Sequence, residues 1–266
     1  MFREMTLGQY FPADSYLHKL DPRVKLFGTL VYIISLFAFE NIIGFAMIFA
    51  ALVGVIVISK VPFSFMVKGL KGIVLLLIFA GLFNLLLTPG KELWSFCFIK
   101  ITDVGLKNAV MMTIRMIMLI VGSSILTLTT TPNQLTDGLE KSFSWGKKIG
   151  IPVHEIAMMM SIALRFIPIL IEETDKIMKA QMARGADFET GGLVKKAKAM
   201  VPLLVPLFVS AFRRANDLAL AMEARCYNGG DGRTKMKPLK YDDYDVRAYI
   251  VMVMFIVFFI VVKIIL

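Results

Sequence analysis

The chain has 266 residues, of which 57% are hydrophobic, and a mean hydropathy of +0.72. This composition excludes an ordinary soluble domain, because several apolar runs are long enough to cross a bilayer. The formal net charge of +10 is better explained by basic cytoplasmic loops and anionic lipid headgroups than by a nucleic acid ligand. We expect an all-α polytopic membrane protein with about five transmembrane helices and a cytoplasmic domain of long amphipathic helices.

The cysteines and histidines favour neither a disulfide framework nor a metal site. Cys97 and Cys226 are predicted on opposite sides of the membrane, so we expect no bond between them. His18 and His154 alone do not make up a set of metal ligands. We therefore expect this chain to bind no metal and no other cofactor.

Residues 1–129 are expected to form a membrane region with four transmembrane helices. The polar start of the chain has no apolar signal-peptide core and ends in the basic stretch 18–25, so we place the N-terminus in the cytoplasm. The four apolar runs are residues 24–39, 42–59, 72–88 and 105–129. The return loop 60–71 carries lysines and is expected inside. The segment 89–104 is expected outside, with three aromatic residues at the depth of an interfacial belt: Trp94, Phe96 and Phe98.

Residues 130–246 are expected to form the cytoplasmic domain, whose first helix is predicted to begin at Thr131-Pro132, with a hydroxyl at the N-cap and proline at N1. Residues 247–266 are expected to form a fifth span with an external C-terminus. Two apolar pieces of the middle region, 156–171 and 199–212, are candidates for further spans. We reject them because prolines and an arginine interrupt runs that are already short. Spanning would also carry the basic segment 171–198 outside, against the positive-inside rule. Long helices on the cytoplasmic face, partly in the headgroup zone, are the better interpretation.

Two of these cytoplasmic helices end in the same pattern, an Ala-Arg pair followed by a small residue. The first ends at Ala183-Arg184-Gly185 and the second at Ala224-Arg225-Cys226. A helix over 152–184 would be about 45–50 Å long, with Gly185 as a left-handed cap. Both helices carry an apolar stripe at helical spacing: Met160, Leu164, Ile167, Ile171, Met178 and Met182 in the first, and Val194, Val201, Leu204, Phe208, Ala215 and Met222 in the second.

The repeated arginine has a structural and a functional interpretation. A single arginine in the last turn of a helix is explained by the helix dipole, and a following glycine by capping. Two such ends on paired amphipathic helices favour docking to a partner, because the planar guanidinium forms bidentate bonds with carboxylates. On the exposed face of the first helix we expect the i,i+4 pairs Glu172–Lys176 and Asp175–Lys179.

Arg115 lies near the middle of the fourth span, where a charge is either functional or holds helices together. Asn84 of the third span is its candidate partner. Methionine is abundant in the cytoplasmic helices. Methionine stripes often belong to a core, but soft thioethers also suit a surface that accepts different partners. The candidate contact surface comprises Met158, Met159, Met160, Met178 and Met182.

Five pieces of sequence carry a resemblance that runs along nearly the whole chain. They are residues 18–25 with Asp21, Pro22 and Arg23, the Thr-Thr-Thr-Pro of 129–132, residues 163–168 around Arg165, and the two Ala-Arg helix ends. In this order and spacing they resemble the T component (EcfT, CbiQ) of energy-coupling factor transporters, which are ABC importers of the cell membrane.

The resemblance implies a membrane scaffold and not an enzyme. Such a scaffold joins two cytoplasmic ATPases, identical or different, to a membrane-embedded S component that captures a vitamin or other micronutrient. ATP and magnesium would bind to the ATPases. Arg184 and Arg225 would enter grooves on the two ATPases, and the methionine surface would suit one or several S components. Cys226 departs from the glycine found in the first motif, so its cap is expected to differ.

Two other classes of protein remain as alternatives. A membrane-embedded enzyme could use Arg115, Glu155 and Arg165 on a lipid phosphate, and would need a polar pocket at the bilayer surface. A stand-alone carrier would need polar residues through several spans, where only Asn84 and Arg115 stand out. The sequence contains no Walker spacing and no recognisable hydrolase motif.

Overall fold

The computed structural model describes residues 10–39, 41–96, 99–188, 192–230, 236 and 238–265. They divide into two compact units. The first, here called the core unit, comprises Gly8–Gly138 and Leu239–Leu266. The second, the paired-helix unit, comprises Leu139–Pro238.

The described residues are helical apart from one short hairpin, which confirms the all-α fold class. The core unit contains α1 (Tyr16–Lys19), α2 (Pro22–Ala38), α3 (Ile42–Ser59), α4 (Phe63–Lys71), α5 (Val74–Leu87), β1 (Glu92–Phe96), β2 (Ile99–Thr102), α6 (Asp103–Thr129), the first part of α7 (Pro132–Ser142) and α10 (Asp243–Ile265). The paired-helix unit contains the rest of α7, a 3-10 turn (Ser144–Ile149), α8 (Val153–Ala183) and α9 (Leu193–Ala224).

Local capping explains where α2 and α7 begin. Asp21 accepts a hydrogen bond of 2.9 Å from the main-chain N–H of Arg23, and Pro22 occupies the first position of α2. At the start of α7, Thr131 and Gln134 exchange side-chain to main-chain bonds of 3.3 and 3.1 Å. This reciprocal pair is a capping box, so the helix start predicted at Thr131-Pro132 is confirmed.

The hydrophobic core of this unit forms where α6 packs against α2, α3 and α4. Its buried side chains are Leu36, Phe39, Phe45, Ile48, Leu52, Val61, Met66, Met118, Val121, Ile125 and Leu128. The members from α6 recur every three or four residues, as one face of a helix requires. Opposite them, the ring of Tyr32 lies against Gly122, where a side chain would collide with it, and its hydroxyl donates to the carbonyl of Met118 at 2.8 Å.

Among the described residues, four helices are long and apolar enough to cross a membrane: α3, α6, α8 and α10. A fifth candidate arises if α4 and α5, which meet at a 65° bend, count as one span. The helix α2 has 17 residues, the lower end of the range that spans a bilayer. Pro168 interrupts the apolar run 156–171 but not the helix, because it lies inside the continuous 31-residue α8, in agreement with the single helix predicted over 152–184. The charge argument that keeps α8 out of the membrane stays a prediction.

Two predicted loops contain regular structure. The return loop 60–71 includes α4. The last helix, α10, begins at Asp243, four residues before the predicted span 247–266. The segment 89–104 forms an antiparallel hairpin in which Trp94 is opposite Ile101. Phe98 lies outside the described residues.

Candidate functional site

The two long helices of the paired-helix unit are joined by a polar contact at Glu173 of α8. Its carboxylate accepts a hydrogen bond from the hydroxyl of Ser210 and another from the guanidinium of Arg214, at 2.9 Å, both on α9. The Glu173 side chain is 21% exposed and that of Arg214 is 41% exposed. We call this three-residue set the Glu173 contact. It satisfies a half-buried charge on each helix, so it favours one alignment of α8 against α9.

An apolar cleft of about 290 Å³ extends between the helices from this contact. Its lining comes from α8 before Glu173 and largely from α9 after Arg214: Ile162, Phe166, Leu170, Ala211, Arg214, Ala215, Leu218, Ala219 and Met222. The chain therefore runs in opposite directions along the two sides of the cleft. As a result, the C-terminal ends of α8 and α9 lie at opposite ends of the pair.

The end of α8 is a Schellman motif built around Gly185. The N–H of Gly185 donates to the carbonyl of Met182 at 2.9 Å, and the N–H of Ala186 to that of Gln181 at 3.0 Å. Gly185 has a φ of +90°, which glycine adopts without a steric cost. The predicted left-handed cap is thus confirmed, and Arg184 is the residue between helix and cap.

The end of α9 repeats the same geometry with different residues. The N–H of Cys226 donates to the carbonyl of Glu223 at 2.8 Å, and the N–H of Tyr227 to that of Met222 at 3.0 Å. Cys226 has a φ of +56°, the left-handed conformation that glycine occupies in the first motif. The expectation that the cysteine changes the cap is therefore wrong. Cysteine adopts the same turn at a local cost of about 1 kcal/mol.

The two arginines occupy equivalent positions. Arg184 lies eleven residues after Glu173 on α8, and Arg225 lies eleven residues after Arg214 on α9. Each is therefore about 16 Å along a helix from the Glu173 contact. Both are exposed, and neither guanidinium forms an ion pair or hydrogen bond with another described residue. Two exposed arginines with similar backbone geometry therefore lie at opposite ends of one helix pair.

The candidate methionine surface is partly exposed. Met159, Met160 and Met182 are exposed, whereas Met158 and Met178 are half-buried. The helix α9 adds a larger apolar surface, which we call the α9 apolar face. Its exposed side chains are Val201, Leu204, Val205, Phe208, Val209 and Phe212. A contiguous surface of this kind on a helix marks an interaction site.

The predicted pairing of Arg115 with Asn84 is wrong. Arg115 donates to the main-chain carbonyl of Phe39 at 3.0 Å, and its guanidinium lies 5.2 Å from the ring centre of Phe45. Asn84 donates to the carbonyl of Ala80, four residues earlier in its own helix. Arg115 therefore satisfies the carbonyl of the residue that caps α2 and holds α6 against it, which is the structural interpretation of this charge.

Asp21 and Arg23 belong to a polar cluster at the start of α2. Arg23 donates to Asp21 through its Nε and Nη2, at 3.0 and 2.9 Å, and its guanidinium stacks on Tyr241 at 3.9 Å from the ring centre. The buried carboxylate of Asp245 accepts from the N–H of Asp21 at 2.8 Å and from that of Asp242 at 2.9 Å. This cluster ties the start of α2 to the start of α10.

Neighbouring polar residues extend the same cluster. Lys25, which is 8% exposed, donates to the carbonyl of Thr129 at 2.9 Å, so it occupies the C-terminal end of α6. His18 contacts the carbonyl of Phe11 at 2.9 Å, and burial lowers the pKa of His18 below its ordinary value. The sequence pointed to Asp21, Pro22 and Arg23 as a motif, but not to their partners.

Sequence reasoning also missed the Glu173 contact. It expected ion pairs at Glu172 and Asp175, and neither pair is formed within 4.0 Å among the described residues. Glu173 was passed over because its partners are 37 and 41 residues away. Its local signal is limited to its position between Glu172, which is exposed, and Asp175, which is half-buried.

The set proposed for a lipid-phosphate enzyme is not assembled within the paired-helix unit. Glu155 and Arg165 lie ten residues apart on α8, about 15 Å along the helix. Arg165 is exposed, and Arg115 is held by the carbonyl of Phe39. No group of three or more metal-ligating side chains occurs in the part of the chain that the structure describes.

Comparison with known proteins agrees with the sequence resemblance. The cobalt transport protein family, CbiQ, matches residues 13–236. A Clostridium kluyveri protein described as energy-coupling factor transporter transmembrane protein EcfT is 52% identical over 250 residues, 93% of both chains. The Bacillus subtilis protein of the same description is 47% identical, over 94% of this chain and 95% of that protein. Another from Ruminiclostridium cellulolyticum is 48% identical over 96% of both chains.

Proposed function

Since this chain belongs to the EcfT family of energy-coupling factor transporter transmembrane proteins, we propose that it is the scaffold that links two cytoplasmic ATPases to a substrate-binding S component. It is a membrane transport subunit and not a catalytic one. ATP and magnesium bind to the partner ATPases, and the cargo, a vitamin or other micronutrient, binds to the S component.

The arrangement of Arg184 and Arg225 is the observation that carries this proposal. Two ATPase subunits need two separate docking points, and the arginines lie at opposite ends of the α8–α9 pair, each about 16 Å along its helix from the Glu173 contact. Schellman turns with the same hydrogen-bond pattern give both guanidiniums a similar backbone setting. An exposed guanidinium at each end suits a groove lined by carboxylates, where it forms bidentate bonds.

The S component is proposed to pack on the apolar surfaces of the same helices. The α9 apolar face and the exposed Met159, Met160 and Met182 offer an apolar surface whose side chains can adapt to a partner. Flexible methionines repack against different surfaces, which suits a scaffold that serves several S components. A movement of α8 and α9 driven by the ATPases would then be transmitted to the S component through direct contact.

The proposed setting is the cell membrane, with a cytoplasmic N-terminus. The domain from residue 130 to 246 then faces the cytoplasm, where the ATPases are. Its basic character agrees with the positive-inside rule. The lipid bilayer is a further partner, and no nucleic acid is involved.

Replacing both arginines tests the docking role. Loss of one member of a desolvated charge pair costs about 2–5 kcal/mol, but the remaining dock acts at high effective concentration. Arg184→Ala or Arg225→Ala alone should therefore retain the ATPases with reduced substrate uptake. The double variant should release the ATPases from membranes that still contain normal amounts of this chain. The measurements are pull-down of ATPase subunits by the tagged chain and uptake in cells.

Lys179→Ala and Arg213→Ala are matched controls, because both side chains are exposed cations in the interiors of α8 and α9. They should leave ATPase retention unchanged. If the double Arg184→Ala and Arg225→Ala variant keeps full ATPase retention and full uptake, the docking role is refuted and both arginines only cap their helices.

A further inference from the structure

The segment between α7 and α8 exposes an unusual combination of side chains. Over residues 143–151 the exposed apolar groups are Phe143, Trp145, Ile149 and Ile151, with exposed fractions of 45–67%. Lysines 141, 147 and 148 are exposed among them. No acidic residue occurs from position 141 to position 154. We call residues 141–151 the linker patch.

The linker patch is held in a defined shape. The N–H of Gly146 donates to the carbonyl of Phe143 at 2.8 Å, and the N–H of Ile151 donates to that of Gly146 at 3.1 Å. Gly150 adopts a φ of +85° to close the 3-10 turn. Beyond the turn, the Nδ1 of His154 lies 2.9 Å from the carboxylate of Glu140. The apolar and basic groups are therefore displayed by an ordered turn, which reduces the entropy lost when a surface binds them.

The chemistry of the linker patch matches an anionic bilayer surface. Tryptophan and phenylalanine are enriched where headgroups meet hydrocarbon, and neighbouring lysines pair with negatively charged lipids. Lys141 and Lys148 form no ion pair with any described residue, so both charges are available. The segment is also tethered near the membrane by chain length alone. It follows the end of α6 after two residues and the 11-residue α7, whose length is about 16 Å.

We propose that the linker patch is a membrane-surface anchor, with Trp145 and its apolar neighbours inserted between headgroups and Lys141 and Lys148 paired with anionic lipids. The occupant is the bilayer and not another protein. The anchor would hold the start of α8 at the membrane surface and leave its arginine end free to move. This proposal relies on the cytoplasmic setting proposed above only for the choice of leaflet.

Fluorescence quenching in nanodiscs of the full chain alone tests the anchor without any ATPase or S component. The Trp94→Phe variant leaves Trp145 as the single tryptophan. Lipids brominated near the headgroup should quench Trp145 strongly, and lipids brominated at the chain ends should quench it weakly. With Lys141→Gln and Lys148→Gln, or with zwitterionic lipids alone, the ratio of inserted to free segment should fall by about 25-fold, that is about fivefold for each lysine.

Asn228→Trp, in a background without the two native tryptophans, is the matched control, because Asn228 is an exposed position in the turn after α9. It should be quenched by an aqueous quencher and not by brominated lipid. The proposal is overturned if Trp145 behaves like this control. It is equally overturned if Trp145 becomes shielded from both quenchers only in the full transporter, since a protein surface would then be the occupant. Neither result depends on the arginine docks.

Discussion

Glu173→Ala should loosen the alignment of α8 against α9. The substitution removes the acceptor of two hydrogen bonds and leaves Arg214 without its carboxylate. Because the ion pair is partly exposed, its share is about 0.5–1 kcal/mol, and the bond from Ser210 to a charged acceptor raises the total to about 2 kcal/mol. A loss of this size increases the population of other crossing angles by roughly 30-fold.

The geometric effect follows from the helix lengths. Ala163 and Ala221 are exposed positions on the same side of the Glu173 contact, ten residues before Glu173 and seven after Arg214. They lie about 15 and 10 Å along their helices from the contact. A change of about 20° in crossing angle, within the scatter common for packed helices, alters their separation by about 2–3 Å.

Pulsed electron paramagnetic resonance between spin labels at these two positions measures this separation. The native cysteines are first replaced by alanine. Glu173→Ala should shift or broaden the distance distribution by about 2–3 Å. The adjacent Glu172→Ala should not, because the exposed carboxylate of Glu172 has no partner within 4.0 Å among the described residues. If the Glu173→Ala distribution superimposes on the parent, packing of the apolar cleft determines the angle and the polar contact does not.

Two further predictions concern helix ends. Asp245→Ala leaves the N–H groups of Asp21 and Asp242 without their acceptor and should lower the free energy of unfolding by about 1–3 kcal/mol. Thermal unfolding of the purified chain in detergent measures this, with the exposed Asp243→Ala as control, and equal stability of the two variants would contradict it. Cys226→Gly should stabilise the end of α9 by about 0.5–1 kcal/mol, because the left-handed penalty exceeds the entropic cost of glycine. Amide hydrogen exchange in the last turn should slow by about two- to fivefold, while Cys226→Ala should leave it unchanged; slowing in both variants would point to loss of the thiol instead.

The features that the sequence predicted well are those with local causes. Helix α8 was expected over 152–184 and runs over Val153–Ala183. The agreement is close because Pro152 and Gly185, which lie next to its two ends, determine those ends locally. The start of α7 was predicted for the same reason. Of the two left-handed caps, only the one at Gly185 was predicted from the sequence. The cap at Cys226 was not, because a cysteine does not indicate a positive φ as a glycine does.

The features that sequence reasoning missed depend on residues that are distant along the chain. Arg115 was assigned to Asn84 because both are polar in apolar helices, yet periodicity does not say which faces of two helices meet. Glu173 and Asp245 have partners 41 and 224 residues away. The hairpin of β1 and β2 was read as a loop, because its strands of five and four residues carry no tight-turn signature.

The equal spacing of the two arginines from the Glu173 contact gives the helix pair a local twofold character. Rotation by half a turn about an axis through that contact would exchange the two helix directions and leave each Schellman turn at the same distance along its helix from the contact. A single asymmetric chain can thus offer equivalent surfaces to a pair of partners that are themselves related by a dyad. Such a pair could engage this chain without departing from its own symmetry, whether its two members are identical or merely alike.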